Sequence, residues 1–122
     1  REDWLKKLSQ LIHEKLTLGE FGVLSCSALK DDYRKRLSID RDRVRFIYLK
    51  GSYELIRSRL RNRTDHYMPP HLLESQFDAL EEPSDVFTVK IDQTEEAIME
   101  KVFTYLVENG LVGQSNEPGA TK

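Results

Sequence analysis

Lys30 and Arg34 stand four residues apart in the stretch 23–37, VLSCSALKDDYRKRL, where a short apolar run gives way to small polar residues and then to a helix. That spacing places both cations on one helix face. They sit just beyond the end of a strand, where ligands of parallel α/β sheets collect. Two cations near a helix N-terminus suit an anion; the plainer alternative is a solvated face in a chain with 19 basic residues. Arg59 and Arg63 repeat the spacing and lead into residues 64–70, TDHYMPP, which hold His66. Their alternatives are a basic surface helix or a nucleic-acid patch built on RSRLRNR, and arginines without interleaved aromatics are a weak nucleic-acid signal. Asp92 and Gln93 follow an apolar run at a strand exit, where Asp92 or Thr94 would cap the next helix.

Other chemistries find little support. The three histidines, at 13, 66 and 71, and the single Cys26 have no metal-site spacing. Cys26 reads as a small buried residue at a strand end, and no histidine neighbours it in sequence for thiol catalysis. Ser25 and Ser27 lack the glycine-flanked elbow of a hydrolase nucleophile.

The elements that must position these groups follow from periodicity. Trp4, Leu5, Leu8, Leu11, Ile12 and Leu16 recur at helical spacing, predicting an amphipathic helix over 2–18 that stops at Gly19. Residues 21–26 predict a buried strand. A helix over 28–37 follows, with Ser27 as N-cap and Leu29, Tyr33 and Leu37 inward. RFIYL at 45–49 predicts a second strand, and Ser52 caps a helix with Glu54 in its first turn. Pro69 and Pro70 start another helix, with Leu73, Phe77 and Leu80 as its core face. VFTVKI at 86–91 is a third strand, and Thr94 caps a last helix that ends at Asn109-Gly110. Residues 111–122 read as a disordered tail. Strands alternating with helices imply an α/β domain: a parallel sheet with helices on both faces.

A chain of 122 residues with 33% charged and 39% apolar residues fits one small globular domain. A net charge of −2 demands neither nucleic acid nor an anionic membrane as partner. The apolar runs are far shorter than the roughly 20 residues of a membrane helix, and the first residues do not form a signal peptide. One cysteine forms no internal disulfide, which points to a reducing, cytoplasmic compartment.

Several segments in order resemble the gluconokinases, small P-loop kinases related in fold to shikimate kinase and nucleoside monophosphate kinases. They are Asp3-Trp4-Leu5; Cys26-Ser27-Ala28-Leu29-Lys30 with Tyr33-Arg34; Phe46 with Tyr48-Leu49-Lys50-Gly51; and Ile56, Arg59-Leu60 and Arg63. His66-Tyr67-Met68-Pro69-Pro70, Leu73 with Ser75-Gln76-Phe77, Leu80-Glu81 and Ile91-Asp92-Gln93 complete the set, so the resemblance covers about residues 2–106. It implies ATP-dependent phosphorylation of D-gluconate at the 6-hydroxyl, with Mg²⁺ bridging the nucleotide phosphates. Lys30 and Arg34 would then bind gluconate, and Lys30 would also serve catalysis. Arg63 would be a catalytic lid arginine (lid about 63–70), His66 a substrate contact, and Arg59, Arg63, Asp92 and Gln93 nucleotide contacts. Gln76 reads as a packing residue. A homodimer is compatible with the resemblance. A kinase for another small sugar acid, and a catalytically dead short form that binds a complete subunit, are the rival readings.

The resemblance departs from the family at one point. Glycines at 19, 22, 51, 110, 113 and 119 supply no GxxxxGK[ST] phosphate loop at any register. The chain is expected to correspond to the C-terminal two-thirds of a gluconokinase, the main Mg²⁺ ligands lying in the unmatched segment. In that fold the first strand lies between the strands here at 21–26 and 45–49. Without it, those two strands must pair directly or leave a groove of unpaired backbone groups, and the isolated chain is expected to be unstable, rearranged or swapped.

Overall fold

A computed structural model describes residues 2–62 and 68–111. In chain order these form α1 (Glu2–Leu18), α2 (Asp31–Leu37), β1 (Ile47–Lys50), α3 (Tyr53–Arg61), α4 (Pro70–Ala79), β2 (Phe87–Lys90) and α5 (Glu95–Glu108). Residues 112–122, expected to be a tail, lie outside the described residues.

The helix boundaries follow their local chemistry. Gly19 and Gly110 adopt φ of 69° and 70°, the left-handed conformation that costs glycine no Cβ clash. Each closes a helix with paired backbone bonds: Gly19 N to Leu16 O and Glu20 N to Lys15 O, then Gly110 N to Val107 O and Leu111 N to Leu106 O. Ser52 and Thr94 accept the amides of Leu55 and Ala97, each at 3.1 Å, as caps of α3 and α5. Pro69 and Pro70 open α4.

β1 and β2 pair in parallel, Ile47 opposite Phe87 through Lys50 opposite Lys90. The Ile91 amide extends the ladder to Lys50 O at 2.9 Å. The parallel α/β character stands, but among the described residues the sheet has two strands where the sequence predicts three. Residues 21–26 form no strand. Phe21, Val23 and Leu24 are 60%, 83% and 43% exposed, and Cys26 is exposed, not buried. The composition suits a strand, yet no neighbouring ladder is present among the described residues to accept its backbone bonds, and strand propensity alone does not form a strand.

α5 packs on β2, where Phe87 and Tyr105 stack with centroids 4.3 Å apart. Arg45 ties the far end of α5, donating to Asn109 Oδ1 at 3.0 Å and Tyr105 Oη at 3.4 Å. α3 and α4 meet edge to face through Tyr53 and Phe77 at 5.7 Å. α1 and α2 form the other helical pair. Trp4 meets Tyr33 edge-on at 6.4 Å, and Arg36 grips both carboxylate oxygens of Glu2 at 2.9 and 2.5 Å. Leu5 and Leu37 sit between them, each 1% exposed.

Leu5, Leu37, Leu73 and Val89 are the fully buried apolar residues among those described. So small a core leaves little margin. Leu37→Ala is expected to lower stability by about 2–5 kcal/mol, a large share of the roughly 5–15 kcal/mol of an ordinary domain. Urea denaturation followed by far-UV circular dichroism measures this. A loss below about 1 kcal/mol would mean that α1 and α2 do not pack as described.

Candidate functional site

α2 begins at Asp31, three residues later than its periodicity predicts, and Ser27 does not cap it. Lys30 occupies the cap position with extended backbone and supplies no side-chain cap. The first-turn amide of Asp31 is instead taken by Glu81, fifty residues on, whose Oε1 accepts it at 2.7 Å. The same residue makes two backbone links to this turn. The Glu81 amide donates to Leu29 O at 2.8 Å, and its carbonyl accepts from Arg34 Nη2 at 2.6 Å. Lys30 Nζ lies 4.0 Å from Glu81 Oε2, with both side chains about half exposed.

Arg34 differs from the solvated cation its position suggests. It is 8% exposed, and Nη1 donates to Ala28 O at 2.7 Å while Nη2 takes Glu81 O. Asp31 Oδ1 stands 3.9 Å away. Two guanidinium arms thus lock backbone carbonyls on either side of the turn. The structure gives Arg34 an architectural part and leaves Lys30 as the more accessible cation of the pair.

Glu82 continues the connection to the sheet. Its Oε2 accepts from Tyr48 Oη at 2.9 Å and pairs with Lys50 Nζ at 3.1 Å. Tyr48 and Lys50 alternate with Ile47 and Leu49 along β1, so they share one face. Lys50 and Tyr48, both donating to Glu82, hold its carboxyl below the usual range. Partial burial, followed by the bond to Glu82, pushes the Tyr48 phenol up to about 12.

A second group forms at the C-terminal end of the sheet. Arg59 on α3 donates to Gln93 O at 3.4 Å, and Gln93 Oε1 accepts from Lys101 Nζ at 2.7 Å. Gln93 Nε2 also donates to Lys90 O. Close packing at the exit of β1 sets α3 beside the exit of β2. A Cβ at Gly51 would stand 2.7 Å from Ile91 Cγ1 and 3.3 Å from Ile56 Cγ1. Asp92 is exposed, and Thr94 provides the cap. Arg59 and Gln93 are therefore together, and Lys30 and Arg34 are together, while Arg63 and His66 lie outside the described residues.

Between α1, residues 25–29 and α4 runs an open cleft of about 490 Å³. Ser25, Ser27, Ser75 and Gln76 give it hydroxyl and amide groups, and Trp4 and Leu72 give it apolar wall. Gln76, read from sequence as a packing residue, thus borders open space. Among the described residues no cluster of histidine, cysteine or acidic side chains could hold a metal ion.

No family model matches the chain. It is 36% identical over 103 residues to the thermoresistant gluconokinase of Escherichia coli, covering 81% of this chain and 59% of that protein. With the gluconokinase of Arabidopsis thaliana the figures are 33% over 126 residues, 91% and 66%. The chain is a gluconokinase homologue. The crystal structure of an unliganded sugar kinase from Janibacter sp. HTCC2649 superposes with a TM-score of 0.74 at 33% identity, over 85% of this chain and 62% of that one. The chain spans about three-fifths of the length of these proteins. The segments that carry the gluconokinase resemblance are those that converge here. Lys30 and Arg34 meet Leu80-Glu81, and Arg59 meets Gln93. Glu81, Glu82, Tyr48, Lys50 and Lys101 were not singled out for this role by sequence reasoning. The alternation of polar Tyr48 and Lys50 with apolar Leu49 and the acidic pair Glu81-Glu82 were visible, but nothing in the sequence brings them together.

The Glu82 contacts fix a pH response. A carboxyl held below its ordinary value adds stability above that value, and the stability is lost as pH falls through the depressed one. A phenol raised from 10.0 to about 12 adds stability that is complete below about pH 10 and declines as pH rises toward 12. Urea midpoints measured against pH are therefore expected to drop at both extremes. Glu82→Gln should flatten the acid limb and Tyr48→Phe the alkaline limb; unchanged limbs in both variants would rule out the contact.

Proposed function

We propose that the protein carrying this chain transfers the γ-phosphate of ATP to the 6-hydroxyl of D-gluconate, giving 6-phospho-D-gluconate. The observation that carries the reading is Arg59 held to Gln93 at the C-terminal end of a parallel sheet, in a chain whose Lys30 turn leaves its ammonium accessible. Similarity to gluconokinases over most of the chain supports it.

In this reading Lys30 meets the carboxylate of the sugar acid or the charge on the transferring phosphoryl group. Its ammonium is a point charge with three donors, and one loose contact to Glu81 leaves donors for a ligand. Arg34 acts by holding the turn, its guanidinium committed to Ala28 O and Glu81 O. The cleft with Ser25, Ser27, Ser75 and Gln76 suits a polyol chain, which needs donors and acceptors over an apolar wall. Arg59 and the backbone at Asp92-Gln93 border the nucleotide. Arg63 and His66 complete the lid and substrate contacts. Transfer then gains chiefly from positioning and charge stabilisation. ATP brings Mg²⁺, whose ligands come from outside the described residues. A homodimer and a cytoplasmic location belong to the same reading.

Steady-state kinetics of the full-length natural protein test this. Lys30→Ala is expected to raise the gluconate KM or lower kcat by at least about tenfold. Arg59→Ala should instead raise the ATP KM, by about three- to tenfold, as expected for one exposed charged contact. A panel of sugar acids checks the substrate: faster turnover of another acid would reassign it, and no phosphorylation of any would favour a binding role.

A further inference from the structure

We propose that Glu81 is the positioning residue of the sugar-acid subsite, holding the Lys30 turn in the geometry that presents its ammonium. The inference rests on the reading that Lys30 meets the sugar acid. Glu81 makes no contact with the reacting groups in this scheme and acts through Lys30.

Four observations meet at this residue. The side-chain Oε1 takes the Asp31 amide at 2.7 Å, filling the cap that neither Lys30 nor Ser27 supplies. The backbone amide holds Leu29 O at 2.8 Å, and the backbone carbonyl takes Arg34 Nη2 at 2.6 Å. The second carboxylate oxygen faces Lys30 Nζ at 4.0 Å. Residues 29, 31 and 34 are thus each tied to one residue, and Lys30 lies between them.

The need for such a tie follows from the element itself. α2 has seven residues, far fewer than a helix needs to stand alone in water. Its first amides have no intrahelical acceptor, and the preceding residues 21–29 belong to no regular element. Without an outside acceptor the turn has nothing local to set the direction of Lys30. Glu81 provides it from the end of α4, and its neighbour Glu82 is fixed to β1 through Tyr48 and Lys50. The turn therefore inherits its position from the sheet. The two carboxylate oxygens have different tasks. One makes a short, charge-assisted bond to backbone; the other stands back from Lys30, biasing the ammonium without saturating it.

The test uses the full-length natural protein with Glu81→Ala, Glu81→Gln and Lys30→Ala, measuring kcat and the KM of gluconate and of ATP. Glu81→Ala is expected to raise the gluconate KM about tenfold, the scale of one lost charge-assisted bond, with the ATP KM within about twofold. Glu81→Gln keeps an oxygen for the Asp31 amide and is expected to recover the gluconate KM to within about threefold of the parent. Should Glu81→Ala fail to fold, Glu81→Asp takes its place, since an arm shorter by about 1.5 Å loses the Asp31 amide. Equal rises in both KM values would mean general loosening and overturn the proposal, as would a Glu81→Gln no better than Glu81→Ala. An unchanged gluconate KM in Glu81→Ala, with a raised one in Lys30→Ala, overturns this inference alone. An unchanged KM and kcat in Lys30→Ala removes the underlying reading and this inference with it.

Discussion

The buried guanidinium of Arg34 constrains everything around it. Among the described residues it is the one charged side chain that is buried, and burial of a charge is tolerated only where hydrogen bonds and counter-charge replace water. Here the replacements are two backbone carbonyls, Ala28 O and Glu81 O, with the carboxylate of Asp31 at the margin. Carbonyl acceptors make the arrangement depend on backbone placement. If residues 28 and 81 separate, the guanidinium cannot keep both acceptors. Two segments distant in sequence are thereby made into one structural unit.

That unit explains how a site can be organised on so modest a scaffold. The core is small, and α1–α2, α3–α4 and α5–β2 pack chiefly as pairs. Between the first pair and the sheet, residues 81 and 82 do the joining, one turned to α2 and the other to β1. Most ion pairs elsewhere, such as Lys15 with Glu20 or Lys35 with Asp31, lie on the surface, where such pairs contribute little. The 81–82 connections differ because, beside two half-exposed lysine pairs, they include backbone, a partly buried phenol and a buried guanidinium. Geometry rather than charge count separates the connections that position the site from those that decorate the surface.

Elements governed by local chemistry were legible in the sequence. α1 has the predicted bounds, Ser52 and Thr94 cap the helices they were assigned, and Gly19 and Gly110 end theirs. Each rests on contacts within a few residues. The spacing of Lys30 and Arg34 predicts two cations on one helix face, but Lys30 stands before the helix in extended backbone and Arg34 is buried within it. What sequence spacing could not reveal was that Arg34 turns inward and that its turn is capped from fifty residues away. Ser27 was the better cap by residue type, but a cap must also lie next to the first turn. Lys30 occupies that position, and the vacancy passes to Glu81. Side-chain type states what a residue can do; only the long-range fold decides which residue is near enough to do it.

The stretch 21–26 makes the same point for backbone. Phe21, Val23 and Leu24 suit a strand, yet β1 is a strand because β2 lies beside it in register, and 21–26 has no such neighbour among the described residues. Phe21 and Val23 consequently remain exposed. The contrast bears on the site, because these residues lead directly into the Lys30 turn. A strand at 21–26 would direct that turn from its N-terminal side, as strand ends do in parallel α/β sheets. In the described structure the direction comes from the other side, through Glu81 and Arg34. The shape of the Lys30 turn is therefore set by a polar clasp that requires no partner strand, and not by a ladder at 21–26. Because the clasp closes without the ladder, the turn and its cation pair keep their shape even where the sheet beside them has only two strands.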